Sequence, residues 1–399
     1  MTSETTDILI SGGGVAGLVA AAAFGAAGFS VICVDPAPPV TSAEAEGADL
    51  RTTAFLQPSR RVLEAAGLWP RLAPHAAALQ VMRIVDAGGE RPEPRVVKAF
   101  DAAEISDEPF GWNLPNWLLR REMVARLAEI PGVSFRPGIG TTALLPRDRE
   151  ARVTLSDGGS VSARLLIAAD GRDSPMRRAL GIGVRTTRYG QKALAFAVTH
   201  PVPHGQISTE IHRAGGPFTL VPLPDRDGQP CSAVIWMERG PEAQRLAALP
   251  VPDFEAAMTE RSAGLFGPLT LVTRRSLWPI ISQIAERMDG RRSALVAEAA
   301  HVVPPIGAQG LNMSLADIAC LHGLACEAPA RLGDAAMLSA YNRRRHPEVR
   351  LRVAGIDLLN RSSMLGARPL RDLRAGLLGA LHSVAPLRRG LMHAGLGLR

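Results

Sequence analysis

Residues 6–36, TDILISGGGVAGLVAAAAFGAAGFSVICVDP, decide the fold. Ile8-Leu9-Ile10 is a short apolar run that breaks into Gly12-Gly13-Gly14. A small-residue helical pattern then runs to Gly28, and Val31 to Val34 is a second buried-strand run ending in Asp35. Strand, glycine turn, helix and strand carry G-x-G-x-x-G at Gly12, Gly14 and Gly17. Gly12 permits the tight turn, Gly14 lets a pyrophosphate approach the backbone, and Gly17 allows close helix–strand packing. The helix N-terminus offers free N–H groups and a positive dipole end to phosphates. Asp35 is placed to accept hydrogen bonds from an adenosine ribose. Gly138-Ile139-Gly140 also fits the relaxed motif, but Thr141, Thr142 and then Pro146 follow, so it reads as a turn between strands. The uncharged stretch from Ile8 to Val34 could also suggest a membrane span or signal segment; three early glycines and the absence of a basic leader argue against both.

The 399 residues suffice for two domains or one interleaved unit with a large core. Cys33, Cys231, Cys320 and Cys326 form no C-x-x-C pair, which predicts neither zinc nor disulfides and a reducing compartment. The net charge of +7 rests almost wholly on arginine, Lys98 and Lys192 being the only lysines. With few aromatic residues for base stacking, it does not point to nucleic acid.

Outward from the glycine motif, the pattern predicts an amphipathic helix from Gln57 and a hairpin over Val81–Lys98 turning at Gly88-Gly89. It predicts a helix over Leu119–Ile130 stopped by Pro131-Gly132, and a strand meander over Val133–Ala169 with a turn at Asp157-Gly158. Residues 185–275 read as short strands with one helical insertion near Pro252–Ala263. Ser293–Val296 reads as a buried strand, Asn312–Leu324 as a helix, and the remainder as helix-rich. With no repeats and no long linker, the second domain reads as inserted into the first.

Two further motifs follow the glycine turn. In LLIAADGRDS (165–174) a buried strand ends in Asp170-Gly171, and Ser174-Pro175 opens a helix with Arg177 and Arg178. Alone, an Asp-Gly pair is more often a turn or cap. In ALVAEAAHVVPPIGAQGLN (294–312) a strand delivers an acid, a Pro/Gly loop follows, and a helix begins near Asn312.

Taken together, the three motifs resemble the FAD-dependent aromatic hydroxylases that share the para-hydroxybenzoate hydroxylase fold. DLRTTAFLQPS, AADGRDSPMRRALGI, YGQKA and EAAHVVPPIGAQGLNMSLAD resemble the ubiquinone-biosynthesis branch. The resemblance implies an α/β fold: a Rossmann-like FAD-binding domain (1–80, 111–184 and 276–340), an interleaved β-sheet substrate domain (81–110 and 185–275) and a helical C-terminal region (341–399). It implies that Gly12, Gly14, Val15, Ala16 and Gly17 cradle the FAD pyrophosphate and Asp35 the ribose. Arg51, and Asn116 or Arg120, would face the cofactor. Asp170 and Gly171 would serve FAD and NAD(P)H, and Glu298 the ribityl chain. Gly310, Leu311 and Asn312 would turn N–H groups to the flavin pyrimidine edge, with Pro305 near the reactive face. Ala297-Glu298 departs from the family's Gly-Asp, and Asp35 from its commoner Glu.

The chemistry so implied is reduction of FAD by NAD(P)H, addition of O₂, and transfer of OH from a flavin hydroperoxide to a phenol. No metal is expected, and no second nucleotide fingerprint is present. His301 beside the flavin acid could shuttle protons but reads more readily as structural. Tyr189 could contact the phenol. The Arg/Leu C-terminus (Arg343-Arg344-Arg345, Arg368, Arg371, Arg374, Arg388-Arg389) reads either as a solvated face or as a peripheral membrane or partner-docking surface. The resemblance implies a bacterial, cytoplasmic protein acting on a polyprenylated phenol, and the second reading of the C-terminus would place it peripherally at the inner face of the plasma membrane. The alternatives are a soluble aromatic or polyketide phenol, or a non-catalytic flavin-binding subunit of a biosynthetic complex. A halogenase lacks support because Trp112 and Trp117 are too far apart for W-x-W-x-I-P.

Overall fold

The computed structural model describes residues 3–89, 91–364, 376, 379 and 382–397. The strand Ser3–Ser11 lies between Val31–Asp35 and Ser160–Ala168, parallel to both, and Ser293–Leu295 pairs parallel on the far side of Ser160–Ala168. Ile8, Leu9 and Ile10 are fully buried, as an unbroken apolar run requires when both faces of a parallel sheet are covered. The helix Val15–Ala26 covers one face, and nearly all of its side chains are small and buried. Short side chains let its axis approach the sheet: a Cβ on Gly25 would lie 2.2 Å from a Val133 methyl.

The meander expected over Val133–Ala169 is only partly formed. Val133–Pro137 instead pairs parallel with Val31–Asp35, and the antiparallel meander spans Thr141–Pro146, Ala151–Leu155 and Ser160–Ala168. Two-residue alternation specifies a strand but not its direction. Here the preceding helix, Asn116–Leu127, makes the crossover that brings Val133 in parallel.

A second, nine-stranded sheet contains Val81–Asp86 and Val96–Asp101, paired antiparallel as the expected hairpin, beside Ile207–His212. Several of its other strands are longer than the sequence suggested. Val184–Thr199 has 16 residues and absorbs a register shift between Arg188 and Lys192, where Gly190 adopts φ +69°. Two helices stand where one was expected, Gly240–Ala248 and Val251–Arg261. Pro241 looks like a turn residue in sequence, yet it stands in the first turn of its helix, where proline is favoured. Leu194, Phe196, Phe218 and Trp236 face these helices, while Ala193 and Met237, of opposite parity, join the core of the first sheet. A small sheet of Thr52–Leu56, Ala77–Leu79 and Gly111–Pro115 lies between the two, and Asn113 Nδ2 donates to Pro222 O at 2.9 Å.

The helix Gln309–Glu327 starts three residues before Asn312, which places Gly310, Leu311 and Asn312 in its first turn. The 29-residue helix Ala335–Ser363 is fastened by the buried Tyr341 hydroxyl donating to Leu295 O at 2.8 Å. The last helix, Ala385–Leu396, docks through the Arg388–Glu104 ion pair (2.7 Å) and the bond from Gln309 Nε2 to Gly395 O (3.1 Å). No helix among the described residues is long and apolar enough to cross a membrane.

Candidate cofactor site

The three motif loops leave the carboxyl ends of neighbouring parallel strands. Ser11 is in register with Ala168, and Ala168 with Leu295, so Gly12, Asp170 and Ala297 emerge side by side. Ligands of open α/β sheets bind in this crevice. A Cβ on Gly12 would lie 2.3 Å from Ala169 O, and one on Gly17 would lie 1.9 Å from Gly12 O, so both positions require glycine. Gly14 differs, because a Cβ there would meet nothing within 4 Å. Gly14 is the N-cap of Val15–Ala26, with no side-chain cap and no acid in the first turn. Open space in front of uncapped N–H groups suits a pyrophosphate and leaves Val15 and Ala16 beside it.

Asp35 accepts from Gly13 N at 2.6 Å through one oxygen and from Ala37 N at 2.8 Å through the other. Each oxygen keeps a second lone pair for a ribose hydroxyl. Asp170 accepts from Met176 N at 3.1 Å through Oδ2, while Oδ1 is buried with no partner. Burial pushes its carboxyl up, against hydrogen bonds from Ser174 and Met176 N. A buried orphan acceptor is rare enough to need a cause, and a cofactor hydroxyl at this strand end supplies one. Gly171, at φ +84°, turns the chain away beside it.

Arg177, absent from the expected site residues, ties the second loop to the third. Its buried guanidinium donates to Ala299 O and to Arg172 O, both at 2.8 Å. Glu298 stands exposed, 3.6 Å from Arg172 Nε, and its charge also acts on Arg51. Ala297, where the family has glycine, is held at φ +56°. The backbone therefore keeps the turn a glycine would make, at about 1–2 kcal/mol of steric cost. Ala297→Gly is expected to stabilise the chain by about 0.5–1 kcal/mol, after the entropy glycine adds to the unfolded state. Chemical denaturation measures it, and a loss of stability would show that the strain is not real.

Arg51, Asn116 and Arg120 converge on Asp49, a residue the sequence reading did not single out. Arg51 grips it with two bonds of 2.7 Å, Asn116 Nδ2 donates at 3.0 Å, and Arg120 Nη2 lies 3.8 Å away. Burial alone would raise the Asp49 carboxyl. The hydrogen bonds and charge of Arg51, with Asn116 and Arg120, outweigh it and hold the group below its ordinary value. So anchored, the Arg51 guanidinium lies over the Trp278 ring, 5.3 Å from its centroid. Asp49→Asn keeps the shape but removes the charge, and is expected to cost about 1–2 kcal/mol, discounted because Arg51 is partly exposed. The carboxyl is depressed by folding, so wild type should hold its full advantage above pH ~4 and lose it on further acidification. Stability curves of the two proteins against pH test this. A constant gap would rule out the charge as the cause.

The first turn of Gln309–Glu327 is clamped to the small sheet by Asn312, whose side chain donates to Ala54 O (2.8 Å) and accepts from Leu56 N (2.9 Å). The side chain is thereby spent on structure. The backbone N–H groups of Gly310, Leu311 and Asn312 stand in the first turn, where a helix has no internal acceptors, with half-buried Pro305 in the loop before them.

His301 and Tyr189 lie apart from this convergence. His301 is buried, its Nε2 2.7 Å from Asp317 Oδ2, while Arg345 Nε donates to Asp317 Oδ1 at 2.9 Å. Asp317 also accepts from Ala297 N at 3.3 Å, so it braces the third loop from behind. Arg345 is therefore internal, and the exposed basic face expected of Arg343-Arg344-Arg345 keeps only the first two. Tyr189 donates its hydroxyl to Asp357 at 2.6 Å; burial and that carboxylate push its pKa up, and the group is committed to the long helix. Arg368, Arg371 and Arg374 lie outside the described residues.

An open glycine turn, uncapped helix N-termini and an orphan carboxylate oxygen fit a dinucleotide with a pyrophosphate. Comparison with known proteins agrees. Residues 5–354 match the family described as FAD binding domain. The chain is 33% identical over 398 residues to the ubiquinone hydroxylase UbiL of Rhodospirillum rubrum, covering 99% of this chain and 90% of that protein. It is 26% identical over 402 residues to the 3-demethoxyubiquinol 3-hydroxylase of Escherichia coli, covering 100% of each. Among solved structures, p-nitrophenol 4-monooxygenase PnpA of Pseudomonas putida superposes with a TM-score of 0.80 at 18% identity, covering 100% of both chains, a likeness of fold. The chain belongs to the FAD-binding family that includes these ubiquinone hydroxylases, and FAD is its cofactor.

Proposed function

We propose that this protein is an FAD-dependent monooxygenase that consumes NAD(P)H and O₂ to hydroxylate the ring of a polyprenylated phenol in ubiquinone biosynthesis. The carrying observation is the convergence of three distant loops at adjacent strand ends, in a chain similar over its whole length to ubiquinone hydroxylases. On this reading residues 1–80, 111–184 and 276–340 hold FAD. Residues 81–110 and 185–275 present the substrate sheet, to which Ser276–Ala285 adds a strand, and the described residues after 340 form the helical region. FAD supplies the redox and oxygen-activating chemistry.

The protein's part is to bind, orient and exclude water. The glycine turn takes the pyrophosphate, Asp35 the ribose, and Glu298 the ribityl hydroxyls. Gly310, Leu311 and Asn312 turn N–H dipoles toward the pyrimidine edge of the ring. Arg51, Asn116 and Arg120, set by Asp49, bound the same space, and Asp170-Gly171 receives FAD and the pyridine nucleotide. The protein works in the cytoplasm, peripherally at the membrane that dissolves its substrate. The test is NAD(P)H oxidation by the FAD-loaded protein with and without a prenylated phenol, with the product identified by mass. Substrate-stimulated oxidation with one added oxygen is expected. Oxidation indifferent to the phenol, with no oxygenated product, would leave a flavin-binding subunit without catalysis.

A further inference from the structure

The long helix Ala335–Ser363 has an outward stripe that no other described element covers. Leu351, Leu358 and Leu359 are 75%, 69% and 56% exposed. Leu351 and Leu358 are seven residues apart and so share one face, and exposed Ala354 lies between them. Exposed Arg343, Arg350 and Arg361 follow one edge of the stripe at spacings of seven and eleven, and exposed Arg344 continues its centre line. The helix has two carboxylates, Glu348 and Asp357. The first is paired with Arg345 and Arg352, and the second with Arg361 and Tyr189. The stripe is therefore apolar along its middle, basic along one edge, and carries no unpaired acid.

The last helix carries a second exposed apolar pair. Leu387 and Leu391, four apart and so on one face, are exposed, and residues 385–396 contain no acid. The two helices meet at the cofactor side. Arg352 Nη1 donates to Gln309 Oε1 at 2.8 Å, and Gln309 Nε2 to Gly395 O at 3.1 Å. Gln309 immediately precedes Gly310, the first of the backbone groups assigned to the flavin.

We infer that this surface is a docking face for an anionic lipid bilayer: the leucines enter the headgroup–acyl boundary and the arginines meet lipid phosphates. Arginine beside exposed leucine, on an outward helix without free carboxylates, is the charge and shape such an interface selects. It rests on the proposed function only in giving a purpose, because a prenylated phenol dissolved in the bilayer would then be delivered beside the helix that holds the flavin. Removing the C-terminus is a poor test, since it would unseat Gln309. Leu351→Glu/Leu358→Glu instead changes two side chains that are mostly exposed.

The experiment is flotation of full-length, FAD-loaded protein with phosphatidylcholine vesicles with and without phosphatidylglycerol, at low and high salt. Turnover of a short-chain, water-soluble phenol is measured in parallel. Wild type should float with the anionic vesicles and release in salt. The double variant should bind about tenfold more weakly while retaining FAD content and soluble turnover. Equal flotation of both proteins would overturn the inference. So would a wild-type dimer, broken in the variant, that ignores vesicles and shows the stripe to be a self-association face. Anionic vesicle binding by a protein without hydroxylase activity would uphold the surface and refute the function.

Discussion

Gly14→Asp should yield a protein at least as stable as wild type that no longer retains FAD. Gly14 has φ −67° and ψ 174°, a conformation open to any residue, and its Cβ position is empty. Aspartate is a better helix N-cap than glycine by a few tenths of a kcal/mol, and its charge complements the helix dipole. The same carboxylate would stand where the pyrophosphate must lie. Like charges so placed cost about 3 kcal/mol, or roughly a hundredfold in affinity. Purification followed by thermal melting and FAD titration separates the two effects. A variant that binds FAD normally would show that the phosphates lie elsewhere. Gly17→Ala could not make this distinction, since its Cβ would collide with Gly12 O and damage the fold itself.

Asp317→Ala is the substitution with the largest expected loss of stability. Asp317 is fully buried and holds His301, Arg345 and Ala297 N together. Burial alone would lower the Arg345 pKa, but Asp317 and Glu348 keep the guanidinium firmly protonated. Removing the carboxylate strands a buried cation and frees the back of the Ala297–His301 turn, at about 3–5 kcal/mol. Asp317→Asn, which keeps an acceptor oxygen, should lose less. Denaturant midpoints order the three proteins. If alanine unfolds with wild type, the brace carries no weight and His301 regains its claim to a chemical role.

How legible the site was depended on whether a residue acts through the backbone or through distant partners. Gly12, Gly17 and the strand ends could be read from sequence because a tight turn and a close approach impose a residue type at a fixed spacing. Asp49 and Asp317 could not, although both lie inside quoted motifs. Their importance comes from Arg120, 71 positions away from Asp49, and from Arg345, 28 positions away from Asp317, converging only in the fold. One signal was available for Asp317, an acid in the middle of the apolar run Met313–Leu321. The C-terminal arginines mislead for the same reason: Arg344 and Arg345 are neighbours in sequence, but one faces solvent and the other lies in the core. The direction of Val133–Pro137 and the helix after Pro241 were hidden because alternation and proline each permit two structures.

Everything proposed for this site requires that the ends of adjacent strands grip one FAD. Its most direct test is the flavin content of the purified, folded protein, followed by titration of the stripped protein with FAD under fluorescence. One FAD per chain is expected, with quenching that saturates at that ratio. A folded protein that is colourless and leaves added FAD fluorescence unchanged would contradict it.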